Sequence, residues 1–226
     1  MALLHNAILR GFNTIYLQAA HVKSADYGDF IGYCLTFFKF VKSHHDDEEN
    51  ELFPKVEELV GRKGALQNAY EEHASFMDGM TKFHDYFLPL SEQDKEGSFD
   101  AKTLLSIMDG FSSAFGHHFH SEIDTIARLA DDVKGSNLSE LGPKVGPVFA
   151  QWGKASIMRA GLSDVVPFLF YNFDRTAEEG KWSNWPPMPR PIRWALIKVG
   201  GFWHSQWWRF ASCSADGKPQ TLYALR

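Results

Sequence analysis

Several common chemistries have no footing in this chain. Its 226 residues include two cysteines, Cys34 and Cys213, far apart in sequence. So sparse a set excludes a disulfide framework and suits reduced thiols in a cytosolic setting. No stretch reaches the ~20 apolar residues that a membrane-spanning helix needs. The most aromatic segment, 192–210, is broken by Arg193, Lys198, His204 and Arg209. Net charge is −5, from 23 Lys+Arg against 28 Asp+Glu. That balance offers no basic footprint for nucleic acid and no polybasic membrane patch, so neither partner is expected. No glycine-rich phosphate loop and no G-x-S-x-G elbow occurs, which removes phosphate cradling and the serine-hydrolase elbow. The first residues lack a basic leader and a small-residue cleavage site, so the expected location is cytoplasmic.

What is present is ordinary in bulk and unusual in detail. With 44% hydrophobic and 23% charged residues, the composition is that of a globular protein with ample core. Aromatics are heavy, with 19 Phe and 7 Trp. The length fits one domain with a sizeable extension, divided here as a helical part, 1–134, and a Pro/Trp-rich part, 135–226.

Apolar residues at steps of three and four predict four helices in the first part. The first spans about 2–20, with Ile8, Leu9, Phe12, Ile15 and Tyr16 inward and His5 one turn earlier. The second spans about 26–60, with Asp26 as cap, an inner row Phe37, Val41, His44, Glu48 and Leu52, and a kink at Pro54. The third spans about 65–87 and stops before Pro89; its inner row is Ala69, His73, Phe76, Met80 and Phe83. A polar loop, 91–98, leads to the fourth, about 100–131, whose inner row holds Leu104, Ile107, Phe111, His118, Glu122 and Ile126. Gly110 and Gly116 suggest close helix packing near the site. The expected fold is all-α, an antiparallel four-helix bundle. In the extension, a helix over 147–160 and an amphipathic one over 192–210 flank a turn-rich WSNWPPMPRP run.

Chemistry concentrates in the order His5, His44-x-x-x-Glu48, His73, His118-x-x-x-Glu122. Residues four apart on a helix share a face, so each pair presents an imidazole and a carboxylate to one point. Four helices facing inward would hold two metal ions with four His and two Glu. This donor mixture suits iron, manganese or zinc. His45-x-x-x-Glu49 offers the same spacing in the next register, with His45 a second partner or supplementary ligand. His117 and His120 are spare imidazoles. Glu72, Asp46 and Asp124 either orient ligand imidazoles or are plain solvated charges. Cys34 reads as core and Cys213 as loop.

The region from about Leu3 to Leu129 resembles the hemerythrin-like, HHE cation-binding family. The resemblance rests on His5 in HNAILRG, on His44-x-x-x-Glu48 followed by Leu52-Phe53-Pro54, on His73 in EEH, and on His118-x-x-x-Glu122. The tail is similar to that of fungal members. The resemblance implies a non-haem di-iron centre, with His5, His44, His73 and His118 as terminal ligands and Glu48 and Glu122 as bridges. Relative to the five-His oxygen carriers, the position one turn beyond His73 is Met77, so one imidazole is missing and both metals would keep open positions. The implied function is binding and activation of O2 or a related small oxidant, as an oxidoreductase or oxygenase acting on a small organic substrate. The alternative is a non-enzymatic iron or oxygen binding, sensing or storage module. The six tryptophans from Trp182 to Trp208 are expected to dock on the bundle, either over the route to the metals or as a belt elsewhere; a membrane-surface role is the third option.

Overall fold

The computed structural model describes residues 1–91, 99–134, 147–153, 155–156 and 159–226, with side chains described outside 130–134. The expected loop after Ser91, up to Ser98, and the start of the extension around Pro143 lie outside the described residues. Helices dominate: α1 is Ala2–Gln18, α2 Tyr27–Asp47, α3 Phe53–Val60, α4 Gln67–Ser91 and α5 Ala101–Lys134. Residues 147–153 are helical, followed by α6, Val165–Asn172, and α7, Arg190–Lys198. Among the described residues there is no strand, only an isolated bridge between Cys213 and Pro219.

α1, α2, α4 and α5 form the bundle, with a Phe-rich core that includes Phe12, Phe37, Phe76, Phe83 and Phe115. Burying so many large rings supplies most of the drive to assemble. Asp100 caps α5, accepting from the backbone of Lys102 and Thr103 and from the Thr103 hydroxyl. Asp26, expected to cap α2, does not do so. It binds Arg209 at 2.9 Å and accepts from the Tyr223 hydroxyl at 3.3 Å, tying the extension down. α4 runs through Pro89 to Ser91, beyond the expected stop, and Pro89 has no amide hydrogen to give the carbonyl of Asp85.

The expected long second helix is interrupted where the site lies. Between α2 and α3, Glu48–Leu52 form one π-helical turn, closed by the Phe53 amide on the Glu48 carbonyl. Pro54 has no amide hydrogen to give the Asn50 carbonyl, which favours a departure from α geometry just here. Gly61, at φ 66, then ends α3 in the left-handed conformation that glycine adopts without strain.

The extension is not a separate layer. Phe168, Leu169, Trp208 and Phe210 belong to the same core as α1 and α2. Its docking needs two glycines: a Cβ at Gly11 would lie 2.7 Å from the Phe168 ring, and one at Gly32 would lie 2.2 Å from the Trp207 ring. Gly110 and Gly116, by contrast, face no neighbour that a Cβ would meet, so they do not mediate the close packing expected of them. α6 escapes sequence reasoning because Pro167 falls inside it. That proline sits in the first helical turn, where amides are free anyway, and Asp164 caps the Val165 amide at 2.7 Å. The expected helix over 192–210 is shorter: α7 stops at Lys198, and Gly200 and Gly201 lead into 3-10 turns.

Candidate metal centre

The last turn of α2 and the π turn face the first turn of α1, the second turn of α4 and the middle of α5. They bring His5, His44, Glu48, His73, His118 and Glu122 together, each at most 2% exposed. His45 joins them, equally buried. The imidazoles fall into two groups. His5 Nε2 lies 3.2 Å from His44 Nε2 and 3.2 Å from Glu122 Oε2, and His44 Nε2 lies 3.2 Å from Glu48 Oε1. On the other side, His45 Nε2 lies 3.2 Å from His118 Nε2, and His73 Nε2 lies 3.8 Å from Glu48 Oε2. Three overlapping sets have ligand atoms within 4.8 Å of one another: His5, His44 and Glu48; His45, His73 and His118; and Glu48, His73 and Glu122.

These spacings suit a cation. Nitrogen and oxygen ligands about 2.0–2.2 Å from an ion such as zinc stand about 3 Å apart when adjacent in its shell. Hydrogen bonding does not account for the same atoms. Both carboxylate oxygens of Glu48, both of Glu122, and His73 Nε2 have no hydrogen-bond partner among the described residues. Taking such carboxylates out of water costs about several kcal/mol each unless a charge of opposite sign compensates. The residues present therefore fit a bound cation.

Outer groups aim the imidazoles. His73 Nδ1 and Glu49 Oε1 are 2.7 Å apart, and His118 Nδ1 and Glu72 Oε2 are 3.3 Å apart; Ser121 Oγ steadies Glu72 by donating at 2.6 Å. His5 Nδ1 lies 3.3 Å from the Phe119 carbonyl oxygen. With Nδ1–H given outward, each Nε2 lone pair points into the cluster. Phe53 stacks on His73, and Phe119 and Phe76 stand edge-on to His5 and His45, excluding water.

Electrostatics follow from the burial. Desolvation, then the neighbouring imidazoles, hold His44 and His45 well below the ordinary imidazole range. Burial brings His118 to about 3. Burial and the facing Glu122 push Glu48 well up. Burial alone would raise Glu122 too, but His5, His118 and His73 draw it down. His44, His45, His73 and His118 are thus disfavoured as cations, which leaves their lone pairs ready to be given.

The doubled sequence HHDDEE resolves into four distinct placements. His44 and Glu48 face the cluster as expected. His45 enters its second half, and Glu49, with its side chain 38% exposed, orients His73 instead. Sequence reasoning missed the Glu49 role. Its signal was the doubling itself, which sets a second imidazole and carboxylate one residue on from the first. Glu72 behaves as expected. Asp46 does not, since it pairs with exposed Lys42 at 2.5 Å. Asp124 is exposed, and His120 turns back to the Gly116 carbonyl; His117 is a surface group 3.7 Å from Glu72. Cys34 and Cys213 are both buried and unpaired.

Trp207 lies away from the cluster. It seats at Gly32, twelve residues before His44, or about 18 Å along a helix. The extension reaches the site through Trp152, whose ring is 6.0 Å from His44 and whose Nε1 donates to the Asp47 carbonyl at 3.1 Å.

An all-helical bundle with an inward cluster of His and Glu defines a cation-binding helical protein. Residues 1–130 match the hemerythrin HHE cation binding domain, and the chain belongs to that family. Over 223 residues it is 26% identical to the fungal "Dimeric xanthone biosynthesis cluster protein R11" of Cryptosporiopsis sp. (strain 8999), covering 98% of this chain and 80% of the relative. No solved structure matches the chain. Among the described residues no helix is long and apolar enough to cross a membrane.

Proposed function

We propose that the cluster holds two iron ions and that the protein binds and activates O2 or a related small oxidant in the cytoplasm. The carrying observation is the convergence of five buried imidazoles on two buried carboxylates whose four oxygens have no other partner. In this reading His5 and His44 serve one metal, and His45, His73 and His118 the other. Glu48 and Glu122 would supply the carboxylates. His45 thus returns the imidazole that Met77 withholds. Bound iron would supply one-electron redox chemistry and an affinity for small oxidants. The chain's own part is to fix tautomers through Glu49 and Glu72, to balance charge with Glu48 and Glu122, and to keep water out with Phe53, Phe76 and Phe119.

An oxidoreductase acting on a small organic substrate is the lead reading. It draws support from the relative's place in a xanthone biosynthesis cluster, at the level of substrate class alone. Carriage or sensing of a diatomic is the second reading, favoured by the near-complete burial of every candidate ligand. A cavity of about 540 Å³ between α1 and the extension lies along Asn6, Leu9 and Asn13, on the face of α1 turned away from the cluster.

The test is metal analysis of protein prepared without oxygen, followed by absorption spectra on O2 exposure. Two irons per chain and a new near-ultraviolet band are expected. Zinc alone, or a spectrum indifferent to O2, would sink the oxidant reading. Reversal of the band on removing O2 would favour carriage; its decay with oxidation of an added phenol would favour an enzyme.

A further inference from the structure

α7 turns Ile197 and Arg193 inward, 6% and 4% exposed. Arg193 donates to the carbonyls of Ser183 at 3.2 Å, Asn184 at 2.6 Å and Pro186 at 3.0 Å. The outward side carries apolar groups as well. Ile192 is 52% exposed, Trp194 60% and Val199 63%, and the following turn adds Phe202 at 64% and Trp203 at 76%. Five of the ten exposed large hydrophobic residues among those described thus fall within 192–203. Scattered exposed apolar side chains need no explanation, but a cluster of large ones marks a surface that meets something.

Charge identifies the occupant. The chain is acidic overall, yet residues 180–215 contain no Asp or Glu and five basic residues. Three of the five are engaged: Arg193 inside, Arg209 with Asp26 and Asp29, and Lys181 with Glu178. Arg190 and Lys198 stay exposed at the ends of α7, with no acidic partner among the described residues. A second copy meeting this face by two-fold symmetry would set like charges together with no carboxylate between them. An anionic lipid surface supplies the missing counter-charge. Its headgroup zone also suits tryptophan, whose ring is apolar and whose N–H is polar. We propose that the outer face of α7 and the turn to Trp203 dock on an anionic phospholipid surface. This inference is independent of the metal and departs from the expectation drawn from net charge, because a whole-chain sum hides a local excess.

The test is co-sedimentation of the full chain with phosphatidylcholine vesicles, with and without about 30% phosphatidylserine, in about 0.1 M salt. Binding to the anionic vesicles and little to the neutral ones is expected. The triple variant Trp194→Ser, Phe202→Ser, Trp203→Ser should bind at least ~10-fold more weakly. Arg190→Glu with Lys198→Glu, both fully surface changes, should lose the preference for phosphatidylserine. This pair carries the test should the triple variant fail to fold, as read by circular dichroism. Wild-type protein left in the supernatant, equal binding to both vesicle types, or unchanged binding by both variants would each overturn the proposal. So would a lipid-free dimer that the triple variant abolishes.

Discussion

The metal cluster and the outer face of α7 break the usual burial pattern in opposite directions. At the end of α2, carboxylates and imidazoles are inside; on α7 an arginine is inside and tryptophans are out. The arginine gives its two terminal nitrogens to three carbonyls, and only its Nε lacks a partner among the described residues. Glu48 and Glu122 find no comparable partner. A buried charge is thus informative only when its partners are missing, and an exposed aromatic only when it has company. In both regions the unsatisfied groups describe what would complete them: a cation in one, an apolar and anionic surface in the other.

The comparison breaks most sharply at Glu48. Glu48→Ala should abolish the second metal, whereas Glu49→Ala should leave both metals and only weaken their retention. Removing an outer-shell partner typically costs ~10–100-fold in metal affinity. Metal analysis of the purified variants reads the difference, and the reverse order would invert the assignment of the two glutamates.

Metal removal should come next in size. A cation bound only by the folded state stabilises it by mass action, about 4 kcal/mol at a thousandfold excess over Kd. Chelation should therefore lower Tm, and an unchanged Tm would mean that Glu48 and Glu122 find relief some other way. His45→Ala should reduce this stabilisation as well, which His120→Ala should not.

A third effect is pH dependence of the metal-free protein. His44, His45 and His118 are held below the ordinary value of 6.5. Below that value the unfolded chain binds protons that the fold refuses, so stability falls as pH drops from 6.5, by up to about 1.4 kcal/mol per unit for each imidazole. Glu48, raised by burial, works in the other sense above 4.5, but it is one group against three. Denaturant midpoints at neutral and mildly acidic pH, with chelator present, measure this. A flat profile would show that the imidazoles take up protons in place.

The smallest effect belongs to the extension. Gly32→Ala would push a methyl into the Trp207 ring and should cost ~1–3 kcal/mol without changing metal content. Loss of metal along with stability would show that the extension and the cluster are coupled.

Much of this was legible in the chain itself. The HxxxE pairs and their inner rows located the four bundle helices and six side chains that converge in the bundle, because period and chemistry pointed the same way. His45 stayed ambiguous because an α-helical wheel turns neighbouring residues ~100° apart; only the converging helices decide its side. Asp26 read as a cap because its local context is that of one; its partners Arg209 and Tyr223 come from the far end of the chain, which no local pattern reveals. α6 was hidden by Pro167. The aromatic tail was expected to bury itself, and Trp208 does. Trp194 and Trp203 do not, because composition says how much apolar surface exists and not where it points.

The π turn at Glu48–Leu52 also acts as a phase shifter. One residue added to a helix rotates everything downstream by ~100° relative to everything upstream. Upstream, Phe37 and Val41 belong to the main core; downstream, Leu52, Phe53 and Val56 belong to a second one with Leu66, Ala69 and Trp152. The extra residue is what lets one continuous rod serve both. Deleting a single residue between Glu49 and Leu52 would restore a straight α-helix and force a choice. Either the second core keeps its faces and the carboxylate leaves the cluster, or the cluster survives and that core is turned toward water.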